Sequence, residues 1–156
     1  MLQVQIPGAE DFILNYLVLD FNGTIAVDGK LIERVRETIE KISEHLEIHV
    51  LTADTFGSVE RELAGVPCRI AVIPPENQAV AKVEYVDELG FDNTVCVGNG
   101  RNDHLMLDEA IISIALIQAE GAASETIAAA DVVCTDIISA LELLMHPKRL
   151  SATLRL

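Results

Sequence analysis

Short apolar runs alternate along the chain with longer segments in which apolar residues recur every three or four positions. The runs predict buried strands, and the longer spacing predicts amphipathic helices. The predicted strands are residues 13–20, 47–52, 68–73, 94–97, 111–117 and 131–134, and the predicted helices are 32–46, 56–64, 77–89, 105–110, 124–130 and 137–145. Because strands and helices alternate throughout, we predict an α/β protein, a three-layer α/β/α sandwich with a Rossmann-like parallel sheet.

The segments outside this alternation have their own patterns. Residues 1–6 alternate apolar and polar positions before Pro7-Gly8, which predicts a short edge strand or a loose arm. Asp28-Gly29 within residues 25–31 predicts a small β-hairpin flap that hangs over the end of the first central strand. We expect the basic tail 147–156, with its spaced leucines, to dock on the protein's own body or on another subunit. We expect a single domain over residues 1–156, with its core at about 13–146.

Charge and composition narrow the classes of partner. The hydrophobic fraction of 50% excludes a disordered chain. The net charge of −14 argues against nucleic acid and against anionic membrane surfaces, and it suits a divalent cation. Cys68, Cys96 and Cys134 form no C-x-x-C pair, so buried free thiols in a reducing compartment are expected. No apolar span reaches the roughly 18 residues of a membrane helix and no signal peptide is visible, so a cytoplasmic protein is expected.

Polar side chains stand where the predicted strands end or where the next helix begins: Asp20, Asn22, Thr52, Lys82, Asn99 and Asp103. The carboxyl ends of parallel strands meet at one edge of a sheet, so these residues are expected to converge. Each also has a plainer interpretation. Thr52 would cap a turn, Lys82 would be a solvated helix charge, and Asn102 or Asp103 would cap the following helix. Their joint order along the chain favours one shared site.

Four segments in this order, LVLDFNGT, HVLT, Lys82 and VGNGRNDHLML, resemble the four motifs of the haloacid dehalogenase (HAD) superfamily of phosphohydrolases and phosphotransferases. The resemblance covers about residues 16–145. The first and fourth motifs are especially similar to the phosphorylation domain of P-type cation ATPases. The flap at residues 27–30 resembles that of small cap-less members that act on sugar-acid phosphates. Nothing between residues 23 and 47, or between 64 and 94, is long enough for a cap domain.

The resemblance implies a mechanism and a set of roles. Asp20 would be the nucleophile that forms an aspartyl-phosphate on a small phosphorylated substrate. Mg²⁺ would be bound by Asp20, the Asn22 carbonyl, Asn99 and, through water, Asp103. Thr52 and Lys82 would bind phosphoryl oxygens, and the backbone around Phe21, Asn22 and Ala53 would cradle the phosphate. Cap-less members often assemble so that a neighbouring subunit completes the pocket, which implies a possible homo-oligomer.

Two family carboxylates are amides in this chain. Asn22 stands where most of the phosphatases have the Asp that protonates the leaving group, and an amide cannot transfer that proton. Asn99 stands where a metal-binding Asp is usual, so the metal affinity should fall with the ligand charge. P-type ATPases also lack an Asp at the position of Asn22. They still form the phosphoenzyme, because nucleoside diphosphate departs without a proton.

Two hypotheses follow from these departures. The first is a Mg²⁺-dependent hydrolase, phosphatase- or ATPase-like, that prefers acyl phosphates, aryl phosphates or nucleoside triphosphates and whose activity Asn22 and Asn99 would weaken. The second is a regulatory module that binds phosphate and metal and has lost turnover. The first is favoured because Asp20, Thr52, Lys82 and Asp103 are all retained.

Overall fold

The computed structural model describes residues 1–54 and 57–156. The strands are β1 (Leu2–Val4), β2 (Phe12–Leu14), β3 (Tyr16–Asp20), β4 (Ala26–Val27), β5 (Lys30–Leu31), β6 (Glu47–Thr52), β7 (Arg69–Val72), β8 (Thr94–Gly98), β9 (Ile112–Leu116) and β10 (Val132–Cys134). The helices are α1 (Val35–Ile42), α2 (Ser58–Glu62), α3 (Gln78–Leu89), α4 (His104–Glu109), α5 (Ser124–Ala129), α6 (Ile137–Met145) and α7 (Pro147–Leu154). The predicted first residue of α2, Phe56, lies outside the described residues.

Six of these strands form one parallel sheet in the order β10-β9-β8-β3-β6-β7. Successive residues of a strand face opposite sides of a sheet. On β3, Leu17 and Leu19 therefore pack into the layer of α1, α2 and α6, whereas Val18 packs into the layer of α3, α4 and α5. The predicted three-layer sandwich is confirmed. Among the described residues there is no cap domain, and no helix has the length and apolarity that a membrane crossing requires.

The predicted first strand is two strands with a break at Asn15. The Asn15 N–H donates to the carbonyl of Asn93 at 2.8 Å, and its carbonyl accepts from Glu47 at 2.9 Å. Before this break, β2 pairs antiparallel with β1 in a separate two-stranded ribbon. Residues 2–4 are therefore a strand, as one alternative predicted, but they lie outside the central sheet. The break falls at the one polar residue between Ile13 and Leu19, and a single polar residue does not by itself show where a chain leaves a sheet.

The C-terminal tail packs on the protein itself. In the tail, α7 buries Leu150 completely, and Ser151 donates a hydrogen bond to the carbonyl of Gln5. The tail thus docks on the body of its own chain.

The predicted hairpin forms, with Asp28 and Gly29 at φ 50° and 74°, the left-handed conformations that a tight two-residue turn requires. The three cysteines are free thiols, with Cys96 buried and the other two half-buried.

Candidate active site

The site lies where the strand order of the central sheet reverses. From β3 the chain adds β6 and β7 on one side, then crosses back to place β8 on the other side of β3. Ligands of open α/β sheets bind at such a switch point, beyond the carboxyl ends of the strands. Asp20 is the last residue of β3 and Asn99 follows β8 directly, so the fold places both residues at this crevice.

A cavity of about 260 Å³ opens at this point. Every predicted site residue except Asp103 lines it, namely Asp20, Phe21, Asn22, Thr52, Ala53, Lys82 and Asn99. The rest of the described lining is Gln78, Gly100, Asn102 and Glu120. The structure therefore brings the predicted residues together, while the chemical role of each stays a prediction.

Lys82 is buried between two carboxylates. Its Nζ lies 2.6 Å from Asp20 Oδ1 and 2.7 Å from Asp103 Oδ1. Lys82 is 1% exposed and Asp103 is 0% exposed. Removing such charges from water costs several kcal/mol per ion unless close partners compensate for it. The interpretation of Lys82 as a solvated helix charge is therefore wrong.

The electrostatics of this cluster favour a cation. Burial, with the nearby charge of Asp103, raises the pKa of Asp20 to about 7, although Lys82 and Thr24 act in the opposite direction. Burial alone would lower the pKa of Lys82, but Asp20 and Asp103 outweigh it and raise this pKa. Two carboxylates thus share one ammonium group in a region of low dielectric constant. A further positive charge would be stabilised there.

Asp103 shapes the turn after β8 as well as facing Lys82. Its Oδ2 accepts hydrogen bonds from the N–H groups of Asn99 at 3.0 Å and Gly100 at 2.9 Å. A Cβ at Gly98 would lie 2.5 Å from Asp103 Cγ, so only glycine fits beside this carboxylate. Both oxygens of Asp103 are thus bound within the protein, which weakens the expectation that it holds a metal-bound water.

Thr24 is a site residue to which the sequence analysis assigned no role. Its Oγ1 lies 3.2 Å from Asp20 Oδ2 and 3.4 Å from Asn99 Oδ1, so both oxygens lie next to one hydroxyl group. Asn99 Nδ2 donates to the carbonyl of Gly121 at 3.0 Å, which leaves the amide oxygen on the side of the Thr24 hydroxyl. Gly23 has φ +81° and presses on Asn99 so closely that a Cβ would lie 2.4 Å from its Nδ2.

This donor set fits a small hard cation. Mg²⁺ uses one or two protein carboxylates and completes its shell with water and substrate oxygens. The Asp20 carboxylate, the Asn22 carbonyl and the oriented Asn99 amide oxygen would hold it. Among the residues that the structure describes, no group of three His, Cys, Asp or Glu side chains could bind a metal. Besides the Asp20 carboxylate, a cation here would therefore depend on neutral oxygens and on the phosphate of the substrate.

Thr52 caps a turn, as one of its two interpretations predicted, while its binding of a phosphoryl oxygen stays a prediction. Its Oγ1 accepts the N–H of Asp54 at 3.0 Å, which caps the turn after β6. The same residue lines the cavity. A hydroxyl that accepts one hydrogen bond still has its own hydrogen to donate. Thr52 therefore remains able to bind a phosphoryl oxygen.

The hairpin does not cover the cavity as predicted. Lys30 Nζ pairs with Glu62 Oε1 at 2.9 Å, and the Leu31 N–H donates to Glu62 Oε2 at 3.1 Å, so the hairpin is tied to α2. None of its residues is among the described lining of the cavity. Residues 32 positions apart form this contact, and local sequence patterns contain no information about it.

Gln118, another residue without an assigned role, fixes the loop that carries the first motif. Its Nε2 donates to the carbonyls of Gly23 at 3.0 Å and Thr24 at 2.7 Å, and its Oε1 accepts from the Ile137 N–H at 3.0 Å. One side chain thus ties the segment after Asp20 to the start of α6. The sequence shows only a single polar residue after an apolar strand, and the fold gives it this role.

Gln118→Glu is expected to destabilise the protein, because a carboxylate cannot donate to the carbonyls of Gly23 and Thr24. The free energy of unfolding should fall by about 1–3 kcal/mol, the usual cost of unsatisfied buried polar groups. Urea unfolding at pH 7.5 measures this change. Ala119→Glu, which adds the same charge at the exposed neighbouring position, is the control. Equal midpoints for the two variants would contradict this role.

Comparison with known proteins finds close relatives of unassigned function. The chain is 41% identical over 83 residues to the uncharacterized protein MJ0073 of Methanocaldococcus jannaschii, covering 51% of this chain and 89% of that protein. It is 51% identical over 39 residues to MJ0072 of the same organism, covering 25% of this chain and 89% of that protein. No protein-family model matches the chain.

Solved structures show the same fold at low sequence identity. A HAD-family protein of Streptomyces avermitilis has a TM-score of 0.68 and 19% identity, over 92% of this chain and 88% of that one. A 3-deoxy-D-manno-octulosonate 8-phosphate phosphatase of Moraxella catarrhalis, solved with magnesium and phosphate ions, has a TM-score of 0.68 and 16% identity, over 91% and 94% of the two chains. The special likeness to P-type ATPases, the homo-oligomer and the cytoplasmic location stay predictions. The chain belongs to the same family as MJ0073, and its fold is that of the HAD superfamily.

Proposed function

We propose that this protein is a Mg²⁺-dependent phosphohydrolase that acts through an aspartyl-phosphate on Asp20 and prefers substrates with good leaving groups. One observation carries the proposal: a buried Asp20–Lys82–Asp103 cluster opens into a cavity at the switch point of the sheet. An ion cluster that served the fold alone would have no need to face a cavity. A phosphatase with the same fold, solved with magnesium and phosphate, supports the choice of reaction and cation.

In the first step, a carboxylate oxygen of Asp20 attacks phosphorus while the bond from phosphorus to the leaving oxygen breaks, and the leaving group takes the electron pair. Lys82 and the hydroxyl of Thr52 stabilise the charge on the phosphoryl oxygens. Bound Mg²⁺ would screen the two approaching anions and keep Asp20 ionised. Asn99 and the Asn22 carbonyl would hold this cation beside Asp20.

In the second step, water attacks the phosphorus of the aspartyl-phosphate and the bond from phosphorus to the Asp20 oxygen breaks. Inorganic phosphate is released and the carboxylate is restored. The proton lost by the water passes to solvent, because the amide of Asn22 cannot accept it. We therefore expect slow dephosphorylation and a long-lived phosphoenzyme.

The leaving group determines which substrates react. Asn22 is exposed at the cavity and supplies no acid. His104, which lies within the fourth motif, has Nδ1 2.7 Å from the carbonyl oxygen of Arg101 and is not among the described residues that line the cavity. An alkoxide that must leave without a proton is a poor leaving group, whereas a carboxylate or a phenolate is a good one.

An aryl phosphate is therefore expected to be hydrolysed about 10²–10⁴ times faster than an alkyl phosphate in kcat/KM, the usual contribution of general acid catalysis. Both rates are measured at saturating Mg²⁺, and acid quenching after mixing with acetyl phosphate traps the phosphoenzyme. Equal rates for both esters would overturn the preference for good leaving groups. Magnesium-dependent phosphate binding with no phosphoenzyme from any donor would favour the binding module instead.

A further inference from the structure

The lining of the cavity divides by exposure into a floor and a mouth. Asp20, Thr52, Lys82 and Asn99 are buried, so they form the floor where the phosphoryl group would sit. The other set faces outward: Asn22 and Glu120 are exposed, and Gln78 and Asn102 are half-buried. A leaving group that points away from Asp20 would meet this second set.

Among the described residues that line the mouth, only one carries a charge, and that charge is negative. Among the described lining residues, Lys82 is the single cation, and it is engaged with Asp20 and Asp103 at the floor. Glu120 is the charged residue at the mouth, beside the amides of Asn22, Gln78 and Asn102. A leaving group that carries several phosphates would meet a carboxylate and no cation there.

The backbone next to Glu120 is held in place relative to the reacting centre. The loop after β9 is fixed to Asn99 at two points that follow Glu120, because the Gly121 carbonyl accepts from Asn99 Nδ2 at 3.0 Å and the Ala123 N–H donates to the Asn99 carbonyl at 2.9 Å. The Gly121 N–H also closes a turn on the Gln118 carbonyl at 2.8 Å. The backbone that carries Glu120 is therefore part of the site framework.

The mouth also offers two amide groups in a fixed arrangement. Asn102 Nδ2 donates to Gln78 Oε1 at 2.7 Å, which joins the start of α3 to the turn before α4. A primary amide has two N–H donors and one carbonyl acceptor. Asn102 thus keeps its carbonyl oxygen, and the amide pair can bind a hydroxyl or an ammonium group.

Resting on the proposed function, we infer that the substrate is a compact acyl or aryl phosphate whose leaving group, apart from its departing oxygen, carries a neutral or a cationic substituent, and that Glu120 excludes polyanionic donors such as nucleoside triphosphates. The cavity of about 260 Å³ is smaller than the roughly 300–1,000 Å³ of sites that hold drug-sized ligands. Glu120 is thus a specificity-determining residue. Of the three substrate classes that the amide of Asn22 permits, the charge of Glu120 favours acyl and aryl phosphates over nucleoside triphosphates.

The test uses three aryl phosphates whose phenols have matched acidity and whose rings carry an ammonium, a neutral or a carboxylate substituent, with ATP as a fourth substrate. The readout is kcat/KM at saturating Mg²⁺. For the wild type, we expect the ammonium ester to exceed the carboxylate ester by about tenfold, from one charge at close range across a wet cavity mouth. Glu120→Gln should reduce this ratio about fivefold, and Glu120→Lys should invert it. ATP should be the poorest substrate of the wild type and should gain most in Glu120→Lys.

Glu44→Gln is the matched control, since it removes the same charge from an exposed position at the opposite end of the sheet and should change the ratio less than about twofold. If Glu120→Gln left the ratio of the ammonium ester to the carboxylate ester unchanged, the inference would be overturned. An equal fall in the rates of all three esters would also overturn it, because Glu120 would then take part in the chemical step. If no ester is hydrolysed, the proposed function fails. The inference is then decided by Mg²⁺-dependent titration with three phenylphosphonates that carry the same substituents, whose affinities should follow the same order.

Discussion

Asp20→Asn is expected to abolish hydrolysis and, at neutral pH, to make the magnesium-free protein more stable. The loss of turnover should reach about 10⁴-fold or more, because an amide cannot form the acyl phosphate. Removing one partner of a buried ion pair usually destabilises a protein, because the other charge is left alone. Here Lys82 keeps Asp103 at 2.7 Å, so the variant retains one neutral pair and loses the surplus buried charge.

The gain in stability should depend on pH in a defined direction. The pKa of Asp20 is about 7 in the folded protein against 3.8 for an unperturbed Asp. Between these pH values the folded state binds a proton that the unfolded state has released. The contribution of Asp20 to the free energy of unfolding of the wild type should therefore be highest below about pH 4. This contribution should fall as the pH rises through 7. Asp20→Asn should lack this part of the pH dependence.

Urea unfolding in EDTA at pH 5 and at pH 7.5 compares the free energy of unfolding of the wild type with that of Asp20→Asn. The variant should be the more stable at pH 7.5, and the difference should shrink at pH 5. Mg²⁺ should raise the midpoint of the wild type and have little effect on the variant. Asp108→Asn, at an exposed helix position, is the control for the loss of one negative charge. A variant that is less stable than the wild type at pH 7.5 would contradict the account of two carboxylates sharing one ammonium.

The sequence predicted most reliably the elements that have clear chemical boundaries. The bounds of β6 and α6 agree with the prediction, since each apolar segment ends at a polar residue or a proline. Convergence of Asp20, Lys82 and Asn99 followed from the rule that the carboxyl ends of parallel strands share one edge. That rule places residues at an edge and says nothing about distances, so the two-carboxylate contact of Lys82 emerged only from the structure.

The features that the sequence did not reveal all depend on contacts between distant segments. The break at Asn15 is stabilised by backbone hydrogen bonds to Asn93 and Glu47, and the sequence shows there only one polar residue between two apolar segments. The position of the hairpin depends on its hydrogen bond to Glu62, and the position of the loop after Asp20 depends on its hydrogen bond to Gln118. Single polar residues of this kind have no periodicity or motif around them. Their roles are set by which loops the topology brings together.

Asn22→Asp is expected to raise the turnover of alkyl phosphates by about 10²–10⁴-fold, which is the contribution of a general acid. Asn22 lies exposed at the mouth of the cavity, two residues after Asp20, where a carboxylic acid would reach the leaving oxygen. Aryl phosphates should gain much less, because a phenolate leaves without a proton. The ratio of aryl to alkyl kcat/KM should therefore fall toward one.

The same substitution should shorten the life of the phosphoenzyme, because the carboxylate that protonates the leaving group can then accept a proton from the attacking water. Asn99→Asp is the matched control: it adds an equal charge beside Asp20 on the side that would hold the cation. It should strengthen Mg²⁺ binding without changing the preference for aryl esters. If both variants raised alkyl turnover equally, the gain would come from added negative charge or tighter metal binding, and Asn22 would not be the position that determines leaving-group preference. A gain confined to Asn22→Asp, together with faster dephosphorylation, would show that a site otherwise complete for phosphoryl transfer lacks only its proton donor.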